Sequence, residues 1–73
     1  MSEQTYGTVI WCDGEEGFGI IQPDDGNQKV SIDFRQIHHD NEAGILLLQV
    51  GHRVAYTLRG SKASNLFIIA KSA

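Results

Sequence analysis

The chain has 73 residues, 41% of them hydrophobic, with six Lys or Arg against nine Asp or Glu for a formal net charge of −3. That length makes one domain, 1–73, near the lower limit of what folds without a staple, and the single Cys12 excludes an internal disulfide as that staple. No cysteine pair has metal-ligand spacing, apolar runs such as 45–48 are far too short to span a bilayer, and the start Met1-Ser2-Glu3-Gln4 is polar and acidic rather than leader-like; a cytoplasmic, reduced setting without metal, cofactor or membrane is expected.

Thr5 to Cys12 is rich in β-branched and aromatic residues and reads as a first strand, with Gly7 marking a bend or bulge. Asp13-Gly14-Glu15-Glu16-Gly17 is a turn. Gly17 to Gln22 is a second strand, in which Phe18 and Ile20 share one face while Gly19 and Ile21 share the other. A large residue alternating with Gly suits a tight barrel wall. Phe18 is then either a platform for an unpaired base or an ordinary core residue. Pro23-Asp24-Asp25-Gly26 is a strong turn. Asn27 to Phe34 is a third strand, with Val30 and Ile32 alternating with Ser31 and Asp33, and Arg35-Gln36-Ile37 a short helical turn closing it.

Residues 38–50 form a connection that is long for so small a domain, with Leu46, Leu47, Leu48 and Val50 as its anchors on the core; an α-helix there stays open. Gly51 opens a fourth strand, with Val54, Tyr56 and Leu58 on one face and Arg53, Ala55, Thr57 and Arg59 on the other. Gly60-Ser61-Lys62 is a tight hairpin. Ala63 to Ala70 is a fifth strand, with Leu66, Ile68 and Ala70 on one side and Phe67 and Ile69 on the other. The expected fold is all-β: a five-stranded antiparallel barrel with a long loop between strands 3 and 4. The residues up to Ala73 carry no stop signal of their own, so a longer parent protein stays open.

Charge is unevenly spread. Nine acids against Lys29 and Arg35 leave residues 1–42 at −7, and Arg53, Arg59, Lys62 and Lys71 with no acid among them leave the rest at +4. A phosphate backbone is repelled by the first region and attracted by the second. His38-His39-Asp40 with Cys12 is the one metal-like grouping, and adjacent histidines on a loop point apart with no third ligand placed by spacing. No nucleophile stands beside a base and no glycine loop precedes a helix, so no catalytic residue is expected and the chain is not read as an enzyme.

Gly7-Thr8-Val9-x-Trp11, Gly17-Phe18-Gly19-x-Ile21, Pro23-Asp24-Asp25-Gly26, Val30-x-Ile32-x-Phe34, Gly51-x-x-Val54-x-Tyr56 and Ala63-x-Asn65-Leu66 come in the order and spacing of a cold-shock domain, which the chain resembles over nearly its whole length. The second and fourth pieces resemble that family's two ribonucleoprotein motifs. The resemblance implies an OB-fold barrel whose first three strands bind single-stranded RNA or DNA by stacking bases on exposed aromatics. Carried onto this sequence, it makes Trp11, Phe18 and Phe34 the stacking residues and Ile20 an apolar contact; Arg59 and Lys62, flanking a hairpin near the binding face, are candidates for phosphate contacts.

The departures point to weaker or narrowed binding. The family usually has Lys where Ile10 and Glu16 stand, Phe where Ile20 and Ser31 stand, and His where Asp33 stands; the loop aromatic corresponds to Ile45, and the Gly-Pro-Gln segment before the last strand is missing. A stacked base contributes roughly 1–3 kcal/mol, so losing four platforms removes on the order of 4–10 kcal/mol, moderated where Ile keeps an apolar contact. Each site residue also has a plainer role: Trp11 packing across a strand, Phe18 in the core, Phe34 plugging the long loop, and Lys29, Arg59 and Lys62 as solvated turn charges. Asp33 is a base acceptor or a wet surface residue. A second function stays open beside nucleic-acid binding: a barrel face made more aliphatic, with Phe67 and Ile69 outward, for a protein partner or self-association.

Overall fold

The computed structural model describes residues 4–38 and 48–70. Five strands, β1 (Gln4–Asp13), β2 (Phe18–Pro23), β3 (Val30–Asp33), β4 (Arg53–Arg59) and β5 (Lys62–Ala70), close into a barrel in the order β1-β2-β3-β5-β4. Four pairings are antiparallel and the β3–β5 pairing is parallel. An all-antiparallel ring is impossible with an odd number of strands, because alternating directions cannot close; the one parallel seam is short, pairing Ser31 with Lys62 and Ile32 with Ala63. Among the described residues the only helical segment is one 3-10 turn, Phe34–Gln36, and no helix is long and apolar enough to cross a membrane.

The turns form for local reasons. Asp13 caps the β1–β2 turn: its Oδ1 accepts from the Glu15 and Glu16 amides at 3.0 and 3.2 Å, and its carbonyl accepts from the Gly17 amide at 2.9 Å. At the next turn the Gly26 amide donates to the Pro23 carbonyl, and Asp25 accepts from the Asn27 amide two residues on. The third strand is shorter than the expected 27–34. Asn27, Gln28 and Lys29 have nothing apolar to bury and stay exposed, and at the other end Asp33 stops the ladder by capping the 3-10 turn. That turn takes in Phe34 and closes with the Ile37 amide on the Phe34 carbonyl at 3.1 Å.

Val9, Ile21, Val30, Ile32, Ile37, Leu48, Val54, Tyr56, Ala63, Leu66 and Ile68 fill the interior. Leu48 anchors the long connection as expected, whereas Val50 is exposed; Leu46 and Leu47 lie outside the described residues. Leu58 shares the parity of Val54 and Tyr56 but is 46% exposed, one residue from the end of β4 where the hairpin turns. Gly19 is required by close approach: a Cβ there would sit 2.9 Å from the Trp11 carbonyl oxygen, an atom of the neighbouring strand's backbone.

Three bulges interrupt the alternation. On β1, Val9 pairs with Ile21 and Trp11 with Ile20, leaving Ile10 as the extra residue. On β5, Asn65 and Leu66 together oppose Tyr56, and Ile69 is extra between Ile68 and Ala70. Asn65 takes a positive φ of 48°, a conformation Asn tolerates better than other side-chain-bearing residues. Ile69 is consequently exposed, while Phe67 is half-buried with its ring stacked 4.5 Å from that of His38.

Candidate nucleic-acid interface

The β1 bulge decides the character of the front face. Strict alternation would put Trp11 on the same side as Val9, which is fully buried. The extra residue at Ile10 shifts the register by one, so Trp11 stands outward at 45% exposure while Cys12 returns to pack on the core. Phe18, on β2, is outward at 38% and meets Trp11 with ring centroids 5.2 Å apart and planes tilted by 55°. Two rows then cross the sheet. One runs Trp11, Ile20, Ser31, Lys62 over four strands; the other runs Asp13, Phe18, Asp33 over three.

Beside Phe18 the rows dip into an open groove of about 610 Å³, walled by Phe18, Ser31, Asp33, Gln36, Arg59 and Lys62. Of the six residues singled out in the sequence, Phe18, Arg59 and Lys62 meet in this groove. Trp11 leans on Phe18 at its margin, and Ile20, half-buried, lies between Trp11 and Ser31 in the row. Phe34 is half-buried and packs against the core, its amide donating to the Gly17 carbonyl at 2.8 Å and so tying the 3-10 turn to the β1–β2 turn. Gln36 and Ser64 also line the groove; nothing in their local sequence marks them, since only the β3–β5 seam brings the two segments together. The loop position Ile45 lies outside the described residues.

Charge on this face differs from a count along the chain. Asp33 does not stand alone: its Oδ1 accepts from the Arg35 amide at 2.8 Å, and the Arg35 guanidinium grips both oxygens, with Nη2 to Oδ2 at 2.8 Å. These bonds hold the Asp33 carboxyl at about 2, well below its ordinary 3.8, with Lys62 helping from across the groove. The pair cancels most of the repulsion that a bare Asp33 would exert on phosphate. Glu16 is exposed in the β1–β2 turn beside Asp13 and Glu15, at the ring end of the face. Arg53 is spent elsewhere: its two terminal nitrogens each donate to Asp24 at 2.6 Å, Nη1 also donates to Thr8 Oγ1 at 2.8 Å, and this clasp at the β1–β4 seam lowers the Asp24 pKa. Among the described residues, Lys29, Arg59 and Lys62 enter no ion pair. The Arg53–Asp24 clasp has no signal in spacing along the chain, whereas the Asp33-x-Arg35 cap has a local one, an Asp at a strand end.

The sequence profile of the "'Cold-shock' DNA-binding domain" matches residues 5–68, which reaches from the second residue of β1 into β5. The chain belongs to the cold-shock domain family. Among curated relatives it is 36% identical to the cold shock-like protein CspG of Shewanella violacea over 70 residues, covering 90% of this chain and 96% of that one. It is 32% identical to the cold shock-like protein CspB of Escherichia coli over 72 residues, covering 93% and 97%, and 36% identical to the cold shock-like protein CspA of Vibrio cholerae over 62 residues, covering 85% and 84%. In this cold-shock domain the closed five-stranded barrel and the outward aromatic pair on the first two strands are both present. Among the described residues no three His, Cys, Asp or Glu side chains gather as a metal site; His39 and Asp40 lie outside them.

Proposed function

We propose that this cold-shock domain binds single-stranded RNA or DNA without catalysing a reaction, in the manner of an RNA chaperone or regulator, and that it binds more weakly than a member furnished with the full set of rings and lysines. The observation that carries this is the tilted, exposed Trp11–Phe18 pair opening directly onto a groove that ends at Arg59 and Lys62. Base–aromatic stacking needs flat rings open to solvent, and the strand's phosphates need cations within reach of them. Trp11 and Phe18 stack bases, Ile20 adds apolar contact, and Arg59 and Lys62 take phosphates. Phe34, half-buried against the core and outside the groove lining, offers a base no more than the exposed part of its ring. Two open rings instead of a full set, Ser31 beside Ile20, and Glu16 at the margin supply the weakness.

Trp11 is the only tryptophan, so its emission is a direct probe. Titration with short oligothymidylate and oligouridylate at low salt is expected to quench it saturably, with a midpoint that moves to higher concentration as salt is added. Unchanged emission at high oligonucleotide concentration would overturn the proposal. A protein-binding face is the outcome to pursue in that case.

A further inference from the structure

The barrel has a second hollow at its mouth, between the 27–29 segment and the β4–β5 hairpin. It holds about 400 Å³ and is walled by Asn27, Gln28, Lys29, Leu58, Gly60 and Ser61. That volume lies toward the small end of ligand pockets, roughly 300–1,000 Å³, and barrel mouths are a favoured place for them. The hairpin is a partition between this mouth and the face groove. Arg59 and Lys62 line the groove, while Leu58 and Ser61, their neighbours in sequence, line the mouth. Period-two alternation on paired strands produces that division.

Three features make the mouth fit to receive a polyanion with flat apolar rings. Leu58 has core parity but no core to enter, and it presents an aliphatic surface there at 46% exposure. Lys29 enters no ion pair among the described residues. Between Arg59 and Ser61, Gly60 puts no side chain on the partition, and apart from those two neighbours no atom stands within 4 Å of where its Cβ would be. The mouth is also preformed. The Ser31 amide donates to the Ser61 carbonyl at 3.1 Å and holds the hairpin against β3, and Gln22 Nε2 donates to the Asn27 carbonyl at 3.1 Å and holds the opposite wall.

We infer that the barrel mouth is a further nucleotide subsite. A single strand leaving the face groove crosses the hairpin at Gly60, lays its next base against Leu58 and sets a phosphate on Lys29. Arg59, Lys62 and Lys29 then mark one path from the ring-bearing face to the mouth. A peptide is the poorer occupant, since Leu58 is the one well-exposed apolar side chain of the lining, Val30 being buried, and the one charge there is the cation Lys29. This inference rests on the single-strand binding proposed above.

The test is a length series of end-labelled oligothymidylates, from about 4 nucleotides, the smallest site size of such folds, to about 10. Anisotropy is read for the wild type, Leu58→Ser and Lys29→Ala. The wild type is expected to gain affinity when the strand becomes long enough to pass the hairpin. Leu58→Ser is expected to bind the long oligonucleotides about fivefold more weakly, no more than the lower end of what a stacked base contributes, Lys29→Ala to lose long-strand affinity with a salt slope flatter by about 0.7, and both to bind the shortest as the wild type does. Amide resonances of Gln28, Gly60 and Ser61 are expected to shift with the long strand and not with the short one. Long-strand affinity and amide shifts indifferent to both substitutions would overturn the subsite while leaving the face reading intact. Equal weakening at every length would also overturn it, since the two residues would then act through overall charge or fold. No binding by the wild type at any length would remove both the face and the mouth.

Discussion

The front of this barrel carries two surfaces of opposite character. On β1 and β2 stand Trp11 and Phe18, rings without cations, with Asp13, Glu15 and Glu16 at their edge. On the hairpin beyond β3 stand Arg59 and Lys62, cations without rings. Stacking and phosphate attraction, which a single-strand binder needs together, are here separated by the width of β3. The separation teaches that the two contributions can be titrated independently, because stacking on rings is insensitive to salt while counterion release is not.

Removing the rings gives the largest effect. Trp11→Ala with Phe18→Ala is expected to cost about 2–6 kcal/mol of binding at the usual 1–3 kcal/mol per stacked base, a loss of thirtyfold or more, and to leave the slope of log affinity against log salt as it was. Anisotropy of a labelled oligonucleotide at several salt concentrations measures both. Reversing the hairpin charges, Arg59→Glu with Lys62→Glu, is expected to do the converse. Affinity at low salt falls about tenfold, and the slope flattens by about 0.7 for each phosphate no longer neutralised. If the ring variant flattened the slope, or the hairpin variant left it alone, the two halves would not be distinct.

The Asp33–Arg35 pair lies between them and sharpens the comparison. Asp33→Asn is expected to release the Arg35 side chain, 88% exposed, as a further cation beside the groove and to raise low-salt affinity severalfold with a steeper salt slope. The same substitution tests the pair's part in folding. Because the folded Asp33 holds its proton less tightly than its ordinary 3.8, ionisation favours the folded state; that contribution is complete above about pH 4 and is lost as pH falls toward about 2. Urea unfolding of Asp33→Asn is therefore expected to show less acid sensitivity across that window than the wild type, by the small amount an exposed pair supplies.

Tyr56 is the control that should touch neither half. It is fully buried, its hydroxyl lacks a hydrogen-bond partner among the described residues, and burial beside Asp25 and Asp24 raises its pKa. Tyr56→Phe removes a polar atom that makes no bond, so stability is expected to stay level or rise by about 1 kcal/mol, with oligonucleotide affinity unchanged. A loss of stability measured by urea would mean that the hydroxyl is satisfied in solution.

Much of the fold was readable along the chain because its causes are local. Glycine and Asp turns, β-branched runs and the Phe18-Gly19-Ile20-Ile21 alternation set five strands and put Phe18 and Ile20 on one face, since a strand's period of two is a property of its own backbone; that this face is the outer one came from the closed barrel. The other half of the site depended on partners distant in sequence. Trp11 faces out through a bulge that exists only in the pairing of β1 with β2; Leu58 is exposed at the hairpin end of β4 despite its core parity; and Arg59 and Lys62 reach the face because the closed strand order sets β5 alongside β3. Alternation is decided residue by residue, but register and closure are decided by the whole ring at once, and those are what placed rings and cations on one surface.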